Sequence, residues 1–296
     1  MRVNIQRSFA DEQKGVLYLV ATPIGNLDDI SVRCLETLRS VDVIACEDTR
    51  QTRKLLTHFQ IEKRTVSYHE HNKEASGSGL LQWLAEGKQI ALVSDAGLPA
   101  ISDPGADLVR DAVEAGYPVV PVPGANAALT ALIASGLPTD RFVFCGFLPR
   151  ENKDRRKELE RLKFYPETLL FYEAPHRIAK TLEAIREEWG DRRAVLAREL
   201  TKRYEEFARG TLDELIRHIR EGEARGEYCL VVEGFTGQAE KNPDEDQWWM
   251  QVSVVEHVDR YCEQGFSKKE AIKQAADDRG VSKRDVYNEY HREMPL

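Results

Sequence analysis

Residues 16–30 read VLYLVATPIGNLDDI, and the fold turns on how that stretch is parsed. Val16 to Val20 is a short unbroken apolar run, as expected of a strand buried on both faces. It gives way to the loop Ala21-Thr22-Pro23-Ile24-Gly25-Asn26-Leu27-Asp28-Asp29, and then to residues 31–39. There Val32, Leu35 and Leu38 recur at three-residue spacing and predict a helix with those three inward. The same unit repeats outward. Strands are expected at 41–46, 65–68, 89–93 and 118–122. Helices are expected at 50–59 (Leu55, Leu56 and Phe59 inward), around Leu80, Leu81 and Leu84, and at 107–115. Short strands alternating with helices are β-α-β units and predict a mostly parallel sheet. Ligands of such sheets gather at the carboxyl ends of the strands, so the loops after Val20, Cys46, Val93 and Val122 should share one face.

A second alternation follows. Residues 125–135 form an Ala/Leu-rich helix closed by Gly136, and Leu137-Pro138 resembles a hinge. Strands are then expected at 142–145, 168–172, 194–197, 204–209 and 228–233, with helices at 154–162, 176–189 and 211–219. The expected organisation is a loose tail over 1–14, an N-terminal α/β domain over 15–136, a second α/β domain over 137–235, a polar acidic linker over 236–247 and a helical appendage over 248–296. In that appendage Ser267 and Ser282 are placed to cap two helices on either side of Gly280, a helix-turn-helix pattern. Trp248-Trp249-Met250 would anchor it.

Composition narrows the class. The 296 residues are 42% hydrophobic and 31% charged, enough for a real core. The formal charge of −8 argues against sequence-blind coating of nucleic acid, which feeds on Lys and Arg. No apolar run is long enough to span a bilayer and no signal-peptide pattern opens the chain, so no membrane partner is expected. Cys34, Cys46, Cys145, Cys229 and Cys262 form no C-x-x-C pair and read as reduced, mostly buried thiols of a cytosolic, cytoplasmic protein.

Three loops are unusually rich in Gly and Pro: the one after Val20, Ser94-Asp95-Ala96-Gly97-Leu98-Pro99-Ala100-Ile101-Ser102-Asp103-Pro104-Gly105, and Pro123-Gly124-Ala125-Asn126-Ala127. Gly lets backbone approach a ligand and Pro stiffens the surround. Neither G-x-G-x-x-G nor G-x-x-x-x-G-K-[ST] is present, so a dinucleotide dehydrogenase or a P-loop NTPase is not expected.

The motifs TPIGNLDDIS, EDTR, SDAGLPAISDPG, PGANA, FYEAPHR and ARELTK, in that order, resemble the tetrapyrrole-methylase superfamily of S-adenosylmethionine (AdoMet)-dependent enzymes. Within it they are similar to the small-subunit ribosomal RNA 2′-O-methyltransferases. The resemblance runs from about Gly15 to Gly234 and continues into the tail. One departure is Gly97-Leu98-Pro99, where that family often has Gly-Thr-Pro. The resemblance implies two α/β domains with AdoMet in the cleft between them, usually in a homodimer, and 16S rRNA or the small ribosomal subunit as partner. By motif it implies that Pro23, Asp95, Leu98, Ala100, Ile101, Asn126, Ala127, Tyr172, Ala197 and Tyr228 surround the cofactor.

Methyl transfer to a ribose hydroxyl needs alignment and help with a proton, and it needs no metal. No metal-ligand cluster is apparent, and His69-Glu70-His71 is not H-E-x-x-H. Glu47 and Asp48 at the end of strand two, and Glu199, are candidate proton acceptors, while Lys202 would lower the hydroxyl's pKa through its charge. For each the alternative is an ordinary surface charge. Arg50, His176 and Arg177 are expected to bind phosphate or shape the pocket; the alternative is an ordinary helix-start role. Residues 150–163, including Arg150, Arg155 and Arg156, hold seven Lys/Arg against four Asp/Glu and could track phosphates; the alternative is a solvated helix face. Two other readings stay open: a tetrapyrrole C-methyltransferase on the same scaffold, and a ligand-sensing helix-turn-helix regulator.

Overall fold

The computed structural model describes residues 5–6, 8, 14–222, 224–237, 248–263 and 265–293. The first half alternates strictly: β1 Val16–Val20, α1 Val32–Ser40, β2 Val43–Cys46, α2 Thr49–His58, β3 Arg64–Ser67, α3 Lys73–Ala85, β4 Gln89–Val93, α4 Gly105–Glu114, β5 Val119–Val122 and α5 Ala127–Ser135. The five strands form one sheet in the order β3-β2-β4-β1-β5, and every pairing is parallel. The period of two explains why the strands are apolar throughout. Ile44, Cys46, Ala91 and Val93 meet Leu38 of α1 and Leu56 of α2 on one face, while Val43, Ala45, Ile90 and Leu92 meet α3 and α4 on the other.

Helix α1 corrects one expectation. Ser31 caps it, its Oγ accepting the Cys34 N–H at 3.1 Å, so Val32 begins the first turn. The inward residues are then Cys34 and Leu38, four residues apart, with Leu35 partly buried against the same core, and Val32 is 72% exposed. The N-terminal tail is also less loose than its composition suggested. The Gln6 amide donates to the Val119 carbonyl at 2.9 Å and accepts its N–H at 2.8 Å, covering the outer edge of β5. The rest of that tail lies mostly outside the described residues, as do residues 238–247 of the expected linker.

The second half holds β6 Phe142–Phe147, α6 Asn152–Leu162, β7 Thr168–Glu173, α7 Ile178–Trp189, β8 Arg193–Arg198, β9 Glu206–Thr211, α8 Leu212–Glu221 and β10 Tyr228–Val232. Its sheet runs β6-β7-β10-β8-β9 and is mixed: β6 and β7 are parallel, and every other pairing is antiparallel. The last strand, β10, inserts at the centre, and all five of its residues are buried. Helices α6, α7 and α8 cover one face. The other face is covered by α5, whose Ala128, Ala131 and Leu132 pack on Leu170, Val195, Ala197 and Val231. So α5, grouped by sequence with the first half, belongs by packing to the second sheet. Each fully buried leucine here contributes about 1.5–3 kcal/mol.

The chain divides into two compact units, residues 1–235 and 236–296. The smaller unit holds three helices among its described residues: α9 Val254–Glu263, α10 Lys268–Arg279 and α11 Lys283–Glu293. Ser267 and Glu270 form a reciprocal capping box at the start of α10, and Gly280, in the left-handed region, ends it. Val254 and Val258 of α9 complete a core with Ala271, Ile272, Ala275, Ala276, Val286 and Tyr290. The expected pair of helices is therefore part of a three-helix unit.

Candidate active site

Sheet order places the site. Strands β4 and β1 are neighbours, yet the chain leaves β1 toward α1 on one face and leaves β4 toward α4 on the other. Such a divergence opens a crevice at the carboxyl edge of the sheet, where ligands of open parallel sheets bind. The two loops are tied at its base. Thr22 and Gly97 exchange backbone hydrogen bonds at 2.9 and 3.1 Å, and the Thr22 hydroxyl donates to the Ser94 carbonyl at 3.1 Å. Gly97 has φ +82°, with the Ala125 carbonyl 3.4 Å from where a Cβ would stand. The turn therefore requires glycine and brings the third Gly/Pro loop alongside.

The crevice continues into a cleft of about 500 Å³. Ile24, Leu98, Ile101, Asn126 and Ala127 line it from the loops and α5, and Tyr172, Ala197 and Cys229 line it from the second sheet. Cys229 pairs in register with Tyr172 on one side and Ala197 on the other, so these three make one row across β7, β10 and β8. Burial pushes the Cys229 thiol up to about 12, which leaves it an apolar wall rather than a nucleophile. The Tyr172 hydroxyl accepts the Ala128 N–H at 3.2 Å, and Asn126 caps α5 by accepting the Leu129 N–H at 2.9 Å. Tyr228 also lines the cleft, although its ring belongs to the core on the opposite face of the sheet.

At one end sits a charged cluster. Lys202 Nζ lies 3.0 Å from Glu199 Oε1 and 3.0 Å from Glu227 Oε2. Burial alone would lower the Lys202 pKa, but the two carboxylates outweigh it and raise the value, so the ammonium stays charged. Burial likewise opposes ionisation of Glu199, and the bonds from Lys202 and from the Glu227 N–H at 3.1 Å win, lowering its pKa. Glu199 and Thr201 hold φ of +51° and +65°, and Ala100 and Ser102 hold +66° and +61°. Both strained loops border the cleft, which is where such cost is usually retained. Gly25 explains how the halves meet. A Cβ there would stand 2.5 Å from Lys202 Cγ, and the next residue, Asn26, donates its N–H to Thr201 Oγ1 at 2.9 Å.

Lys202, Glu227, Ile24 and Ala96 also line a second, more polar recess of about 480 Å³. Thr22, Pro23, Gly25, Leu27, Gln51, Thr52, Lys54, Ser94 and Asp95 complete it. Asp95 accepts the Asp48 N–H at 3.1 Å and so braces the start of α2. The Glu47 pKa is raised from its usual value, first through desolvation and then through Asp95 and Asp103, against an opposing effect of His69.

The predicted site residues thus separate. Leu98, Ile101, Asn126, Ala127, Tyr172, Ala197, Tyr228, Glu199, Lys202 and His176 meet around the cleft, and Pro23 and Asp95 line the adjoining recess. Ala100 lines neither; its N–H is taken by the Asp103 carboxylate at 2.9 Å. Glu47 and Asp48 line neither the cleft nor the recess. Arg50 is held by Asp48, Nη2 to Oδ2 at 2.8 Å. Arg177 turns inward, 3.2 Å from the buried Glu173 and 2.7 Å from the Leu148 carbonyl, so it clamps the β6–α6 connection instead of reaching for phosphate. Arg156 is taken by Glu187 and Glu188, Arg155 donates to Asn152 at 2.6 Å, and Arg150 is exposed. Glu173 and Glu227 were missed. Glu173 lay inside a quoted motif without a role, and nothing local marks Glu227. Among the described residues no group of His, Cys, Asp or Glu could hold a metal ion, and no helix is long and apolar enough to cross a membrane.

A cleft at the switch point of a parallel sheet, walled on its far side by a mixed sheet, defines a class of two-sheet small-molecule enzymes. Residues 16–216 match the family Tetrapyrrole (Corrin/Porphyrin) Methylases, and the chain belongs to that family. Among its relatives it is 57% identical over 282 residues to Ribosomal RNA small subunit methyltransferase I of Halalkalibacterium halodurans, covering 95% of this chain and 96% of that one. It is 58% identical over 277 residues to the protein of the same name from Bacillus subtilis, covering 94% of each. Solved structures share the fold at lower identity. A diphthine synthase matches with TM-score 0.58 at 19% identity, over 74% of this chain and 90% of that one. A cobalt precorrin-4 methyltransferase matches with TM-score 0.55 at 18% identity, over 74% and 94%.

Proposed function

We propose that the chain is an AdoMet-dependent methyltransferase that 2′-O-methylates a cytidine ribose in the decoding centre of 16S rRNA, working in the cytoplasm. The observation that carries this reading is the end-to-end likeness, at 57–58% identity, to proteins named Ribosomal RNA small subunit methyltransferase I. The cleft suits the donor. Its volume is ordinary for a nucleoside-sized ligand, its walls at Leu98, Ile101, Ala197 and Leu200 suit an adenine, and the carboxylates of Glu199 and Glu227 at one end suit a cationic centre. When bound, AdoMet supplies an activated methyl group.

The chain's own residues then have three tasks. The tied loops at Thr22, Gly97 and Asn126 fix the donor, and rigid alignment removes much of the barrier to an in-line displacement. Lys202, kept charged by its two carboxylates, faces the recess next door and lowers the pKa of an alcohol placed there. Glu199, which lines the cleft 3.0 Å from Lys202, is the carboxylate of the expected set placed to take the alcohol's proton. Incubation with methyl-labelled AdoMet and small ribosomal subunits or 16S rRNA tests the reading. Label in 16S rRNA is the expected result, and label in no RNA fraction rejects it.

We also infer a homodimer. Leu129 and Ile133, one turn apart on α5, are 44% and 77% exposed, an apolar pair that a second copy would cover. Light scattering should report twice the chain mass, and L129E/I133E should report one chain. A monomeric parent protein would end the inference.

A further inference from the structure

Helix α2 is a cationic element that the methyl-transfer chemistry leaves unused. It carries Arg50, Arg53, Lys54 and His58 and no acidic residue, in a chain of net charge −8. Arg50 is spent on Asp48. Arg53, Lys54, Thr57 and His58 are all exposed, and among the described residues none of the three basic ones makes an ion pair; Lys54 donates only to the neutral Gln51 at 3.2 Å. With Arg50 they line an open recess of about 610 Å³.

Its position is the second observation. Lys54 lines both this recess and the polar recess that holds Thr22, Ser94 and Asp95, and that polar recess shares Lys202 and Glu227 with the cleft. Donor cleft, polar recess and cationic helix face are thus three consecutive chambers of one path. Arg53 and Lys54 stand one turn, about 5.4 Å, before Thr57 and His58, which suits neighbouring groups of a repeating polyanion. Lys and Arg with a hydroxyl are the usual donors to phosphate oxygens. A protein partner would need an apolar centre, and α2 exposes no large hydrophobic side chain.

We propose that the face of α2 bearing Arg53, Lys54, Thr57 and His58 binds the backbone phosphates beside the target nucleotide, while that nucleotide's ribose enters the polar recess next to Lys202. This rests on the RNA-methyltransferase reading. It moves the phosphate contact from residues 150–163, where local charge pointed, to a helix whose Lys54 also lines the polar recess.

The test uses the full chain, 16S rRNA titrated over a range of salt, and the variant R53E/K54E. Affinity should fall at least tenfold near 0.15 M salt, and the slope of log K against log salt should shrink by about 1.4, two contacts at roughly 0.7 each for single-stranded RNA. AdoMet affinity by calorimetry should be unchanged, which shows that the fold and donor site are intact. R53Q/K54Q, which adds no repulsion, should give a smaller loss of the same sign. An unaltered slope and affinity in both variants would overturn the proposal. So would a loss seen on assembled subunits but not on naked 16S rRNA, which would make the contact a ribosomal protein. Methyl transfer by the unmutated chain checks the parent reading separately: RNA labelling with an unaltered α2 slope rejects the phosphate site alone.

Discussion

Helices α2 and α6 are both rich in Lys and Arg, and they differ in which cations are held: α6 has its Arg156 and Arg161 paired while Lys153 and Lys157 stay exposed. On α6, Arg161 is held by Glu158 at 2.5 Å, and Arg156 is held by Glu187 and Glu188 of α7. On α2, among the described residues, only Arg50 is held in an ion pair, by the residue that caps the helix. A polyanion meets the charge that folding leaves unpaired, and that quantity depends on which helices become neighbours. Helix α6 packs beside α7 and finds carboxylates there. The face of α2 that carries Arg53 and Lys54 is exposed, and among the described residues it meets no ion-pair partner.

Removing the carboxylates that hold cations should hurt most where the pair is buried. Glu173 is buried, accepting from the Thr181 hydroxyl at 2.6 Å and from the Ala174 N–H at 2.9 Å, and it pairs with Arg177. E173A leaves a guanidinium and a hydroxyl without their acceptor and should cost about 3–5 kcal/mol by chemical denaturation. A loss below ~1 kcal/mol would place Arg177 among the open cations after all. Next comes Lys202, a held cation inside the site. K202M should lower kcat about 10²-fold, the scale of one lost electrostatic donor, with a smaller change in AdoMet affinity. Equal losses in both would make it a donor-binding residue only.

Asp48 sharpens the comparison from the other side. Its bonds from Arg50 depress its pKa from 3.8 to about 2. The stabilisation is therefore present above about pH 4 and is lost as the pH falls through about 2. D48N keeps a capping oxygen but releases Arg50, so the acid limb of the stability profile should flatten and RNA affinity should rise two- to threefold. Weaker RNA binding would show that Asp48 itself serves the RNA. The smallest effect belongs to α6. R155E/R156E breaks the surface pairs of Arg156, worth ~0.2–1 kcal/mol, and should shift RNA affinity by less than about twofold. A loss as large as that of R53E/K54E would restore residues 150–163 as the phosphate track.

Local pattern made the parallel half legible. Strand β4 has the bounds its apolar run predicts, and the Gly/Pro loops do converge at one edge. Period alone could not order the strands, because pairing is non-local; nothing near Tyr228 says that β10 enters the middle of the second sheet between antiparallel neighbours. Helix α9 was missed because its apolar positions, Val254 and Val258, are few and share the face with His257 and Tyr261. In the site, the row Tyr172–Cys229–Ala197 was two-thirds visible through motifs, and Cys229 emerged only with the register. Arg177 stands at the start of α7, as the alternative reading had it, and its pairing with the buried Glu173 was not legible because burial is a tertiary property.

On the proposed reading, the donor cleft and the recess beside Lys202 bring a methyl group to a ribose oxygen. Nucleoside analysis of 16S rRNA after incubation with the protein and AdoMet tests it directly. A single new 2′-O-methylcytidine is the predicted product; a base-methylated nucleoside, or no methylated nucleoside at all, would contradict it.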